Sequence, residues 1–288
     1  MRGLPLGALA LAATSLGSAL PADRDDATVA SSAAQRFVDL VRVATDRYHD
    51  RARAVADGYR LIGRDFPGMG EHWVNVGLLF DGAYEPTRPE FLSYVTIDGA
   101  PRLLGVAYGL PLLAGEQPPD EPAGRAAWHA HAGTVEEETL LPHHHHSDHG
   151  GRGPRLAMVH AWVWLANPNG VFAADNWSIP FARLGLPPPE APAVAAAKAL
   201  SLLTGGDEYV AEAVARTRLS TEPARSVGDA LSRARSRVEA VLRGRPRHVQ
   251  LGHEELDALS AEWERLWNDI DRDLTPEARE RLRSSVAR

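Results

Sequence analysis

The sequence predicts an α+β protein: a long N-terminal helix packed on a small, mainly antiparallel sheet or partial barrel, followed by a helical C-terminal segment. Three observations carry that expectation. Apolar residues recur at spacings of three and four over residues 32–62, segments rich in β-branched and aromatic residues follow between 72 and 166, and helix formers fill the chain after Pro187-Pro188-Pro189. A length of 288 residues suits one large or two modest domains. The expected division is a leader over 1–22, a helix-plus-strand domain over 23–186 and a helical region over 187–288.

The leader has one basic residue, Arg2, then an uncharged Leu/Ala-rich run to Ala22 with no Ile, Val or Phe. Such a run reads as a secretory signal peptide, cleaved after Ala19 or Ala22. The mature chain is expected to be secreted or periplasmic, without a membrane anchor.

Phe37, Leu40, Val41, Ala44, Tyr48, Ala52, Val55, Tyr59 and Ile62 form one apolar stripe, predicting a single helix over about 32–62. Arg64-Asp65-Phe66-Pro67-Gly68 ends it. Strands are expected at 72–79, 91–97, 102–112 and 155–166, with Asp98-Gly99 as a hairpin turn. In the last strand, Leu156, Met158, His160, Trp162 and Trp164 alternate with Ala157, Val159, Ala161, Val163 and Leu165. Both faces are apolar, so this strand should be central and covered on both sides. Residues 115–153 form a long, weakly patterned connection.

Beyond the prolines, Val227, Leu231, Ala234, Val238 and Val241 make one stripe, and Leu256, Leu259, Trp263, Leu266 and Ile270 another. They predict an antiparallel helical hairpin. Thr275-Pro276-Glu277 begins a last helix with a cap, an N1 proline and an early acid.

Composition narrows the chemistry. The net charge of −7 supplies no basic footprint for nucleic acid. The absence of cysteine excludes disulfides and thiolate metal sites. Lys198 is the sole lysine, and there is no G-x-S-x-G, H-E-x-x-H or P-loop motif. Residues 23–186 carry 21 acidic against 14 basic residues, and residues 190–288 carry 17 against 16, so the acidity lies with the strands.

Histidine is the informative residue, because neutral imidazole offers a nitrogen lone pair to a metal. Eight of the twelve histidines lie between His129 and His160. On a strand, His129 and His131 would share a face, and Glu136 follows as a carboxylate ligand. His143, His144, His145 and His146, with His149, form a run suited to loose ion capture. His72, after Pro67, Gly68 and Gly70, and His160, in the aromatic strand, are the remaining candidates.

Gly124, His129-x-His131 and Glu136 loosely resemble the first histidine motif of the cupin superfamily, with the gap after Gly124 one residue short. Pro168-Asn169-Gly170 is present, but Ala173 stands where the second motif has its histidine, so His160 would have to replace it. That resemblance implies a metal-dependent enzyme activating water or oxygen. Over residues 35–180, PGMGEHWVN, PEFLSYV and HAWVWLANPNGVFAADN resemble a family of uncharacterised secreted bacterial proteins. This second resemblance implies export and one shared strand-rich domain, and it directs attention to His72 and His160.

The leading expectation is therefore an exported protein that binds a divalent transition metal such as Zn, Cu or Ni. The inner ligands would be His72, His129, His131, Glu136 and His160, with residues 143–149 recruiting ions. The alternatives are the cupin-like enzyme and a metal-free ligand-binding or scaffold protein whose helical tail pairs with a protein partner.

Overall fold

The helix expected over 32–62 is broken into three pieces. In the computed structural model, which describes residues 24–132, 155–217 and 219–286, α1 spans Arg24–Thr45, a 3-10 turn spans Asp46–His49, and α2 spans Arg51–Ala56. Asp50 restarts the helix by accepting the Ala52 N–H at 3.0 Å. Gly58 ends it at φ +99, a backbone conformation that favours glycine. Tyr59 and Ile62 fit the helical spacing, yet the chain past Gly58 is extended and forms β1, Arg60–Phe66.

The next strands are β2 (Gly70–Val74), β3 (Phe91–Ile97), β4 (Ala100–Leu112), β5 (His129–Ala132) and β6 (Arg155–Ala161). The strand expected over 72–79 stops at Val74. Asn75 Oδ1 accepts the Leu78 N–H at 3.2 Å and caps a short helix, α3, over Val76–Leu79. Asp98 and Gly99 both have positive φ, at 51° and 76°, as a tight hairpin between β3 and β4 requires.

The six strands form one open antiparallel sheet in the order β1-β2-β3-β4-β6-β5. Chain order and sheet order part at β5, which lies outside β6. One face packs on the N-terminal helices, where Val38, Val41, Tyr48 and Ala54 meet Leu92, Tyr94, Val106, Tyr108 and Val159. The opposite face carries Phe66, Met69, Val95, Leu104, Trp162 and Ile179, and beside them Val74, Leu79, Phe91, Ala107, Leu156 and Met158. All seven residues of β6 are buried, as its two apolar faces predict, although the strand ends at Ala161.

The second face is met by the helical region. It comprises α4 (Ile179–Arg183), α5 (Val194–Ser201), α6 (Gly206–Arg216), α7 (Thr221–Val241), α8 (His253–Asp273) and α9 (Pro276–Val286). Val227, Leu231, Ala234 and Val238 of α7 share one core with Leu259, Leu266 and Ile270 of α8, so the hairpin stripes pack as read. Thr275 Oγ1 accepts the Ala278 N–H at 3.2 Å and caps α9. Ile179 joins the sheet patch, Arg183 binds both carboxylate oxygens of Asp65 at 2.5 and 2.6 Å, and Arg247 binds both of Asp98 at 2.8 Å. Among the described residues no helix is long and apolar enough to cross a membrane.

Candidate functional site

His72 owes its direction to the turn that precedes it. Gly70 has φ +74, and a Cβ there would overlap the Tyr94 carbonyl oxygen. Gly68 lies under the Trp177 ring, where a Cβ would come to 3.1 Å. Asn176 fastens the two segments: its N–H donates to the Gly68 carbonyl at 2.8 Å and its Nδ2 to the Leu165 carbonyl at 3.0 Å. With the start of β2 held in this way, His72 and Val74 turn toward the face that carries Phe91 and Met158.

His160 stands on that same face of β6, three strands along from β2 with β3 and β4 between them. Neighbouring strands are about 4.8 Å apart, so a flat sheet would separate the two positions by roughly 14 Å. The positions between them are small. Ser93 lies opposite His72, Gly105 opposite Ser93, and Ala107 opposite His160. The β3–β4 register shifts between Ser93 and Tyr94, and Gly105 lies so close to β6 that a Cβ would overlap the Ala161 carbonyl oxygen. The bulge curls the sheet, and the small residues leave space for two imidazoles to lean together.

They meet nitrogen to nitrogen. The Nε2 atoms of His72 and His160 are 3.2 Å apart and the ring centroids 5.5 Å apart. The centroid separation exceeds the nitrogen separation by a ring's width, so each Nε2 points along the line joining the rings. At this distance one Nε2 donates its proton and the other accepts, which places the two rings in different protonation arrangements. His72 is 7% exposed and His160 1%.

His160 is flanked by two parallel rings. His129 stacks at 5.3 Å with a 12° tilt, and Trp162 at 5.3 Å with an 11° tilt. His129 is half-buried on β5, directly opposite Met158. Phe66 meets His72 edge-on at 6.4 Å.

The structure thus brings His72, His129 and His160 together from three strands. His131 is placed by its backbone in β5, opposite Leu156. Glu136, His143, His144, His145, His146 and His149 lie outside the described residues. Among the described residues no group of three His, Asp or Glu side chains is arranged to hold a metal ion, because the His129 ring lies parallel to His160 instead of converging with it.

Three residues that sequence reasoning passed over belong to the same face. Ser93 Oγ is buried with no hydrogen-bond partner among the described residues. Met158 lies across the ladder from His129, and Met69 packs with Phe66 and Trp162. Alternation along β6 already put Met158 beside His160, which was the available signal. Elsewhere, a shallow apolar groove of about 290 Å³ lined by Val214, Leu219, Val227 and Leu231 belongs to the helical region and contains no histidine.

Comparison with protein-family models, with curated proteins and with solved structures finds no match for this chain.

Proposed function

We propose that the protein binds a transition metal ion between His72 and His160, with His129 at the edge of the site. The observation that carries this reading is the head-on approach of two Nε2 atoms at 3.2 Å from strands that are not neighbours. Imidazole nitrogens brought to one point on a largely apolar face form a pair of nitrogen donors already fixed in position, so little ordering remains when an ion enters. Trp162 and Phe66 hold the two rings in place. The uncharged Leu/Ala-rich run before Asp23, read as a secretory leader, accords with action outside the cytoplasm, and the run at 143–149 with recruitment of ions.

Binding is better supported than the cupin-like enzyme. Activation of water or oxygen calls for three converging ligands and an open coordination position. Here two nitrogens face each other and the third ring lies parallel.

The polyhistidine run binds ions by itself, so the test uses the full chain with His143–His146 and His149 replaced by serine. Titration with zinc, copper and nickel should give about one ion per chain with a Kd of about 1 μM or tighter. His72→Leu should abolish this binding while circular dichroism shows an intact fold. Absence of stoichiometric binding of every ion, or binding unchanged in both His72→Leu and His160→Phe, would overturn the proposal.

A further inference from the structure

We infer that the ion this site is shaped to hold is monovalent copper; the inference rests on the metal-binding reading above. Three independent features of the sheet face point the same way.

The first is direction. Two donors that face each other along one line present linear two-coordinate geometry, whereas zinc takes four ligands in a tetrahedron. With metal–nitrogen distances of about 2 Å, a linear ion needs the nitrogens roughly 4 Å apart. The present separation is 3.2 Å, so the two rings need only part by somewhat less than one ångström along the line they already share.

The second is the kind of atom beside them. The chain has three methionines, and the two beyond Met1 both lie on this face. Met158 is two residues from His160 on the same side of β6 and directly across from His129. Met69 precedes His72 by three residues and packs with Phe66 and Trp162. In a chain without cysteine these thioethers are the soft donors available, and thioether with imidazole selects Cu(I) over Zn(II).

The third is charge. His72 and His160 are buried on the face that carries Val74, Phe91, Leu104, Leu156 and Trp162, with Ser93 opposite His72. The cost of moving an ion from water into such a medium grows with the square of its charge, so a divalent ion is penalised about four times as heavily as a monovalent one. Imidazole and thioether donors on a largely apolar face therefore favour the singly charged ion.

The experiment is an anaerobic competition titration of the full chain, with the 143–146 and 149 histidines replaced by serine, against a chromophoric Cu(I) chelator. Parallel titrations use Zn(II) and Cu(II). The expected result is Cu(I) bound at least about 100-fold more tightly than Zn(II). Met158→Leu should weaken Cu(I) about tenfold and leave Zn(II) and Cu(II) within about twofold. X-ray absorption of the Cu(I) complex should show a low-coordinate nitrogen environment with a sulfur contribution that the Met158→Leu variant lacks. Tighter binding of Zn(II) or Cu(II) than Cu(I), still lost in His72→Leu, would overturn the copper(I) inference and leave the metal-binding reading standing. Cu(I) affinity unchanged by Met158→Leu would overturn the thioether's part in it. Failure of all three ions to bind would overturn both.

Discussion

Glu90 Oε2 accepts a hydrogen bond from the backbone N–H of Gly109 at 3.0 Å, with the carboxylate almost sealed from water. Burial pushes its pKa from 4.5 up to about 7, outweighing the Gly109 N–H and Arg88, which favour the charged form; Asp81 adds to the rise. For an acid whose pKa is higher in the folded than in the unfolded chain, the folded state holds the proton longer. The contribution of Glu90 to stability should therefore be greatest near and below pH 4.5, fall as pH rises to about 7 and level off above it. The loss should be on the order of 3 kcal/mol. Glu90→Gln keeps the acceptor and removes the charge, so its stability should not follow this slope and should exceed that of the parent at pH 8. Urea unfolding from pH 5 to 8 checks this, and parallel pH curves for the two proteins would contradict it.

The His72–His160 bond predicts non-additive stability. His72→Leu or His160→Phe alone removes one member of a buried hydrogen-bonded pair and should cost about 1–3 kcal/mol. The double variant should cost less than the sum, with a coupling of at least about 0.5 kcal/mol. Equilibrium unfolding of the four proteins measures it, and strict additivity would mean that the rings do not share a proton.

Two glycines with nearly equal φ should respond differently to alanine. Gly70 (φ +74) would set its Cβ against the Tyr94 carbonyl, whereas Gly82 (φ +73) has nothing within 4 Å. Gly82→Ala incurs backbone strain of about 1 kcal/mol. Gly70→Ala must also open the β2–β3 ladder and should cost upwards of about 3 kcal/mol while displacing His72. Thermal unfolding with metal titration of both variants distinguishes them.

The ties between the helical region and the sheet should also differ in strength. The Arg183 side chain is 13% exposed, grips Asp65 with both oxygens and donates to the Thr204 carbonyl at 3.0 Å. The Arg247 side chain in its pair with Asp98 is 50% exposed. Arg183→Ala should destabilise by about 2 kcal/mol or more, because it leaves half-buried polar atoms unmet. Arg247→Ala should stay within about 1 kcal/mol, as solvent-screened pairs do.

Elements whose apolar period has one interpretation were legible in the sequence. The α7 and α8 stripes, the α9 start and strand β3 fall where the residues put them. The first helix was over-extended because Tyr59 and Ile62 satisfy a helical spacing while lying beyond Gly58, and periodicity does not register a positive φ. The strand at 72 was over-extended because Val76, Leu78 and Leu79 are apolar in either conformation, and the Asn75 side chain decides between them. His72 and His160 stood out by residue type, but their meeting depends on Ser93, Gly105 and Ala107, small residues that carry no chemical signal. The pairing of His129 with His160 depends on β5 lying outside β6, an order that local sequence does not encode.

An open sheet leaves one strand at each rim, and at one rim that strand is β1. Its amide groups would ordinarily invite another extended chain to add on. Here the register with β2 slips between Ile62 and Phe66, around Gly63 at φ +63, while Arg60, Arg64 and Asp65 set charge along it. A kinked margin whose Arg64 is engaged by Glu212 and whose Asp65 is engaged by Arg183 offers a poor template for an added strand, even with Leu61 exposed at its border.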